Sequence, residues 1–359
     1  MISGGGTGGH IFPAVAIADK LKEMEPDSEF LFVGASDRME MERVPQAGYN
    51  IEGLWISGIQ RKLTASNLMF PFKLFSSIAK CKRLIRKFKP DAVIGTGGFA
   101  SGPLLYVAAN RKIPTLIQEQ NSYPGITNKI LAPKVNKVCV AYEQMERFFP
   151  ASKIMLTGNP IRQTVKNINP DRTFAHSTFK LNPDHKTLLI LGGSLGAKRI
   201  NELIGQNLDA LLSMDLNILW QTGKLYYDKL NEQFGHRQNE SFRLMPFIKN
   251  MDDAYAMDII ISRAGAGTIS ELAVAAKATL LIPSPNVAED HQTKNATALA
   301  RKNAALLFRE SEDNEAFLKA VQDLMAQKEK LEQNITAFAL PHAAEDIAEE
   351  VLKLVKANA

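Results

Sequence analysis

The sequence predicts an α/β protein made of two doubly wound parallel-sheet domains, and three observations carry that prediction. At 359 residues the chain exceeds the length at which one hydrophobic core usually keeps growing, so two domains of about 150 to 200 residues each are expected. Short aliphatic runs alternate with longer amphipathic stretches along nearly all of it. Glycine turns close several of these runs, some in each half of the chain.

The first run is residues 1–3 alone, where a buried parallel strand usually has about five or six residues, so a natural start upstream of Met1 is expected. The glycine-rich stretch SGGGTGGHIFPA (3–14) follows. A helix comes next, in which Ile17, Leu21 and Met24 recur at helical spacing behind Pro13, a favourable first-turn residue. EFLFVG (29–34), AVIGTG (92–97), TLIQE (115–119) and KVCVAY (137–142) read as further strands of one sheet. TLLILGG (187–193), NILWQTG (217–223), DIIISRAG (258–265) and TLLIPSP (279–285) read as strands of a second. Continuous apolar runs, each ending in glycine or polar residues before a helix, are the pattern of parallel strands covered on both faces. TGNPIR (157–162) reads as a turn, which places the hinge near Asn159 and the domains at residues 1–158 and 159–340. The stretch EDIAEEVLKLVKA (345–357) sets Ile347, Val351 and Leu354 on one face, and a closing helix within 341–359 is expected to pack back on the first domain.

Composition narrows the class. The chain is 45% hydrophobic and 23% charged, ordinary values for a globular protein. It has no apolar run long enough to span a bilayer and no basic-then-apolar signal sequence. Cys81 and Cys139 are its two cysteines, which points to a reducing cytosol. The net charge of +5 is mild and matters only where it is clustered. No GxxxxGK[ST] loop, Asp-x-Asp triplet or metal-ligand histidine spacing occurs, which argues against a P-loop NTPase and against a metal-clamped nucleotide sugar.

The chemistry lies in four glycine turns: GGGTGG (4–9), GTGG (95–98), GGSLGA (192–197) and RAGAGT (263–268). Each follows an apolar run and precedes a helix. Helix N-termini leave about four backbone N–H groups unpaired, and a glycine turn lets an anion approach them closely. Two such turns per half suggest a substrate with more than one phosphate, or two phosphorylated substrates meeting in a cleft. Gly4, Gly6 and Gly9 also fit the dinucleotide pattern GxGxxG, so an NAD-dependent dehydrogenase is the alternative. The acidic residue that pattern needs about 20 positions on is missing, Asp37 coming late and beyond a glycine.

GGGTGGHIFPA, GTGGFASGP (95–103), EQNSYPGITNK (119–129), TGNPIR, GGSLGA and SRAGAGTISE (262–271) resemble, in order, the signature segments of the MurG family. These are peptidoglycan glycosyltransferases of family 28 with the GT-B fold, two Rossmann-like domains facing a cleft. The resemblance covers nearly the whole chain. It implies inverting transfer of N-acetylglucosamine from UDP-N-acetylglucosamine to the muramoyl 4-hydroxyl of undecaprenyl-diphospho-muramoyl-pentapeptide, lipid I, giving lipid II. A silent membrane-surface scaffold that keeps the nucleotide site is the non-enzymatic alternative.

By that resemblance Arg162 and Ser194 contact the donor diphosphate, Ile248 takes uracil through its backbone, Glu271 binds the ribose hydroxyls and Gln292 the sugar hydroxyls. Ala264, Gly265, Ala266, Gly267, Thr268, Ile269 and Ser270 match the helix start under the phosphates. Thr7, Gly8, Gly9 and Asn121, in the half that takes the acceptor, match positions that also contact the donor sugar across the cleft, and Gly95, Thr96, Gly97 and Gly98 the seat of the lipid diphosphate. Glu271 reads as a first-turn carboxylate, stabilised by the helix dipole. A base for the acceptor hydroxyl is typically worth about 10²- to 10⁴-fold; His10 is the first candidate and Glu119 the second. Many family members have a histidine where this chain has Gln118. No cofactor and no metal site is expected, and Mg²⁺ stimulation is not indicated by the sequence.

One stretch serves neither substrate. Residues 61–89 carry Arg61, Lys62, Lys73, Lys80, Lys82, Arg83, Arg86, Lys87 and Lys89 without an acidic residue, interleaved with Leu68, Phe70, Phe72 and Phe75. Basic side chains contribute about 1 kcal/mol each near an anionic leaflet, and inserted aromatics add apolar burial. The expectation is a peripheral contact with the cytoplasmic face of the bacterial membrane, with no nucleic acid bound and with other cell-wall and division proteins as further partners.

Overall fold

A computed structural model of the chain describes residues 1–58, 68–166, 168 and 171–358. Arg61 and Lys62 lie outside the described residues. The chain divides into unit 1, Met1–Ile161 with Leu340–Ala359, and unit 2, Arg162–Ala339. Asn159 is itself buried in unit 1, and the changeover falls just after it.

Unit 1 is built on a seven-stranded sheet. Its strands are β1 Ile2–Ser3, β2 Leu31–Ala35, β3 Asn50–Leu54, β4 Val93–Gly95, β5 Thr115–Glu119, β6 Lys137–Val140 and β7 Ile154–Leu156. All pair in parallel in the order β3-β2-β1-β4-β5-β6-β7. Although β1 has only two residues, it is central: Ile2 is in register with Phe32 on one side and Ile94 on the other. The helix Gly8–Met24 starts earlier than the sequence reading had it, with Thr7 as N-cap, so Pro13 lies in its second turn instead of its first. Proline there leaves the Gly9 carbonyl without its usual amide partner. Ile11, Ile17 and Leu21 pack with Phe32, Ile94 and Leu116, and the closing helix Ala343–Lys356 adds Ile347 and Val351 to the same core. Each such side chain fully removed from water is worth about 1.5–3 kcal/mol.

Unit 2 repeats the plan on six strands. These are β8 Lys186–Leu191, β9 Leu216–Gln221, β10 Phe242–Met245, β11 Ile259–Ser262, β12 Ala278–Leu281 and β13 Leu306–Leu307, in the parallel order β10-β9-β8-β11-β12-β13. Trp220, Phe242, Phe308 and Phe317 fill its core. In each sheet the strand order reverses once, between β1 and β4 and between β8 and β11. Open α/β sheets bind ligands at the carboxyl ends of the strands at such a reversal. The four glycine turns follow those four strands.

Candidate active site

In unit 1 the turns after β1 and β4 are packed backbone to backbone. A Cβ at Gly4 would stand 1.9 Å from Thr96 Oγ1, and one at Gly98 would stand 2.4 Å from the Gly5 carbonyl oxygen. Several of these glycines are therefore demanded by the contact of two loops as much as by any ligand. Gly95 and Thr96 are buried, and Thr96 Oγ1 donates to the His10 carbonyl at 2.7 Å. Of the residues expected to seat the lipid diphosphate, Gly95 therefore closes the strand and Thr96 braces the two loops, its side chain turned inward. What the loops do offer is backbone. Among the described residues the N–H groups of Gly8, Gly9, Gly97 and Gly98 have no hydrogen-bond partner, and helices begin at Gly8 and Ser101.

His10 is in the first turn of its helix with the ring half-buried. Its Nδ1 lies 2.9 Å from the Thr96 carbonyl oxygen and 3.1 Å from Gln120 Oε1. Both neighbours are acceptors, and a backbone carbonyl can only accept, so Nδ1 carries the proton. In the neutral ring Nε2 then holds the lone pair, and among the described residues nothing bonds it. The ring lies against Gly97, where a Cβ would stand 2.9 Å from Nδ1. Gln120 is oriented in turn by donating to the Thr96 carbonyl at 2.6 Å and to Gln118 Oε1. Gln118 Nε2 donates to Asn159 Oδ1 at 2.8 Å.

Glu119 is differently employed. It is buried, Oε1 accepts from the Asn121 backbone N–H (3.0 Å) and Nδ2 (3.2 Å), and Oε2 accepts from the Gly125 N–H (3.1 Å) and Asn128 Nδ2 (2.8 Å). A carboxylate with both oxygens so engaged braces the loop that carries Asn121. A second buried carboxyl group, that of Glu40, touches the glycine turn at Gly6. Gln120 and Glu40 were not among the sequence candidates. Gln120 adjoins Glu119 in the EQN segment, and nothing near Glu40 in sequence marks it.

In unit 2 the helix Ala266–Val274 starts from Gly265, and the N–H groups of Ala266, Gly267 and Thr268 have no partner among the described residues. A Cβ at Gly267 would meet nothing within 4 Å, so this helix start is open to a ligand. Ala264 and Ile269 are buried beneath it, and Ser270 Oγ bonds back to the Ala266 carbonyl. Ser194 is exposed on the turn after β8. Glu271 lies in the second turn of the helix, which corrects the first-turn reading: its charge is met by side chains. Arg162 Nε and Nη2 reach its two oxygens at 2.7 and 2.5 Å, and Tyr255 Oη donates to Oε2 at 2.9 Å. Burial first, then the Glu271 charge, pushes the Tyr255 phenol well above its usual range, so it stays a donor. Arg162 and Glu271, expected on two parts of one nucleotide, are thus paired with each other here. Ile248 is buried and its N–H is taken by Gln221 Oε1 at 2.9 Å, so a backbone contact from this residue would fall to its carbonyl. Gln292 Oε1 accepts from the Ser284 N–H at 2.9 Å, which leaves its amide NH₂ to donate.

On unit 1 the helix Phe70–Phe88 turns Phe72 (65% exposed) and Phe75 (72%) outward beside Leu68 (76%), while Phe70 is half-buried and Leu84 and Ile85 face the core. Trp55, also exposed and absent from the sequence candidates, lies under Lys73 Nζ at 5.8 Å. Lys82 projects freely, but Lys80 pairs with Glu52 at 2.8 Å and so is removed from the set of cations open to an anionic surface.

The glycosyltransferase family 28 N-terminal domain matches residues 1–140 and its C-terminal domain matches residues 187–351. A curated protein of Flavobacterium psychrophilum, named UDP-N-acetylglucosamine--N-acetylmuramyl-(pentapeptide) pyrophosphoryl-undecaprenol N-acetylglucosamine transferase, is 54% identical over 362 residues, covering 100% of this chain and 98% of its own. One of the same name from Christiangramia forsetii is 52% identical, with 99% and 97% covered. This chain belongs to glycosyltransferase family 28. The family 28 chain also matches the crystal structure of Acinetobacter baumannii MurG with a TM-score of 0.79 at 29% identity, covering 98% of this chain and 99% of that one. That likeness extends the GT-B fold to both of its units. In this family 28 chain the four turns at the two strand-order reversals are therefore parts of a glycosyltransferase, and the dehydrogenase alternative is set aside.

Proposed function

We propose that the chain transfers N-acetylglucosamine from UDP-N-acetylglucosamine to the muramoyl 4-hydroxyl of undecaprenyl-diphospho-muramoyl-pentapeptide with inversion. The observation that carries the mechanism is the His10 ring, with Nδ1–H held on a backbone carbonyl and Nε2 unbonded at the end of a glycine turn. The acceptor oxygen forms its bond to the anomeric carbon as the bond from that carbon to the diphosphate oxygen breaks. The electron pair leaves with UDP, and the hydroxyl proton passes to Nε2 of His10. Glu119 holds the Asn121 loop and is not the base.

Unit 2 takes the donor: the N–H groups of residues 266–268, Ser194 and Arg162 meet the diphosphate, Glu271 the ribose, the Ile248 carbonyl the uracil and the Gln292 amide the sugar. Binding requires Arg162 to exchange Glu271 for phosphate oxygens, which its planar fork suits. Preorganised donors of this kind are worth about 3 kcal/mol each toward developing charge, so transfer is expected to persist in EDTA. Unit 1 takes the acceptor on the turns at 7–9 and 97–98, and the face bearing Leu68, Phe72, Phe75, Trp55 and Lys82 rests on the anionic cytoplasmic leaflet. Among the described residues no helix is long and apolar enough to cross a membrane.

The test is incubation with radiolabelled UDP-N-acetylglucosamine and a short-chain prenyl-diphospho-muramoyl-pentapeptide. Label should move to the prenyl product, and UDP but not NADH should raise the melting temperature. Nucleotide binding without transfer would favour the silent scaffold.

A further inference from the structure

We propose that Glu40 is a positioning residue for the acceptor, holding residues 4–9 in the backbone conformation that leaves the following N–H groups free; this rests on the assignment of that turn to the acceptor. Glu40 is the first residue of the helix Glu40–Gln46 and is 0% exposed. A carboxyl group in such a place is costly unless its oxygens are hydrogen-bonded. Each oxygen takes one backbone N–H: Oε1 that of Ala35 at 2.9 Å, at the end of β2, and Oε2 that of Gly6 at 2.9 Å.

Glycines make the room. A Cβ at Gly5 would stand 2.1 Å from Glu40 Oε1, and one at Gly34 would stand 2.4 Å from Glu40 Cγ. An aliphatic side chain would fill the same space without the desolvation cost. What the carboxyl group adds is an acceptor that draws the Gly6 N–H inward and holds Gly6 in its left-handed conformation, at φ +88°. With Gly6 turned in, the chain enters the helix at Thr7, and the Gly8 and Gly9 amides follow as its first turn. Glu40 touches no reacting atom; it acts through Gly6.

The experiment is steady-state kinetics of the full chain with UDP-N-acetylglucosamine and the short-chain prenyl-diphospho-muramoyl-pentapeptide. Glu40→Gln keeps the shape but sets an NH₂ against one of the two N–H donors. The expected result is a rise in acceptor KM of about tenfold, with the KM for UDP-N-acetylglucosamine within about twofold of the parent. Gly34→Ala pushes the Glu40 side chain from β2 without altering the turn itself, and should raise acceptor KM in the same way; it also serves if Glu40→Gln fails to fold. A fall in kcat or melting temperature with acceptor KM unchanged in the folded variants means that Glu40 only supports the fold, and overturns the proposal. Undiminished transfer by His10→Ala is a separate result: it removes the acceptor from this turn, and the role of Glu40 with it.

Discussion

His10, the proposed base, shows how little its own position in the sequence decides. The tautomer it needs is set by Thr96 and Gln120, 86 and 110 residues away in sequence. Its replacement by alanine should lower transfer by about two orders of magnitude or more while UDP affinity, proposed to lie in unit 2, stays put; isothermal titration with UDP beside the transfer assay checks both halves. Gly97 offers a finer probe. At φ +97° any side chain is strained, and a methyl there would press on His10 Nδ1. Gly97→Ala should therefore cost about 1–3 kcal/mol of local strain and lower kcat, again with UDP binding intact. In unit 2, Glu271→Ala should weaken UDP binding and also leave the buried Tyr255 hydroxyl without its acceptor, a penalty of about 1–3 kcal/mol visible as a lower melting temperature. The glycine turns and His10 were legible in sequence because their chemistry is local. Gln120, Tyr255 and Glu40 were not, since each matters through a partner that only the folded chain brings near.

At the scale of elements the same division holds. Long aliphatic strands such as β8 and β9 announce themselves, whereas β3 with Asn50 and Glu52, β10 with Arg243 and the two-residue β13 have too little apolar run to read. The start of the first helix is hidden in the sequence for a related reason: proline at the sixth position mimics proline at the first, and only the Thr7 geometry separates them. The helix Phe70–Phe88 keeps its basic residues exposed or half-exposed, while its apolar residues are split: Phe72 and Phe75 face water and Leu84 and Ile85 the core. For the proposed membrane contact, Leu68, Phe72 and Phe75 changed together to serine should reduce liposome binding at every salt concentration. Lys82→Gln should reduce it only on anionic liposomes at low salt, since screening removes the charge contribution, and Lys80→Gln should do less because Glu52 already holds it. Co-sedimentation with neutral and anionic vesicles reads all three, and unchanged binding throughout would move the contact elsewhere.

For the molecule as a whole, the two units carry different reporters. Cys81 and Cys139 both belong to unit 1, and burial pushes each thiol up to about 12. Unfolded thiols release their protons near the ordinary value of 9.0, so unit 1 should lose stability as pH climbs from about 9 toward 12. It should also resist thiol reagents until it opens. UDP at about 100 times its dissociation constant should add about 2.7 kcal/mol to unit 2 alone. Heating with UDP should then delay the Trp220 transition more than thiol exposure, and equal delays would mean that the units unfold as one.

The route of the chain through those units bears on how the protein is made. A ribosome delivers residues 1–161 first, yet the core they belong to lacks Ile347 and Val351 until the closing helix Ala343–Lys356 is complete. Unit 2, continuous in sequence, can finish while its elder neighbour still waits with apolar surface uncovered. The half proposed to take the acceptor is thus the last to mature, and a nascent chain halted short of Leu340 should bind UDP before it can present His10.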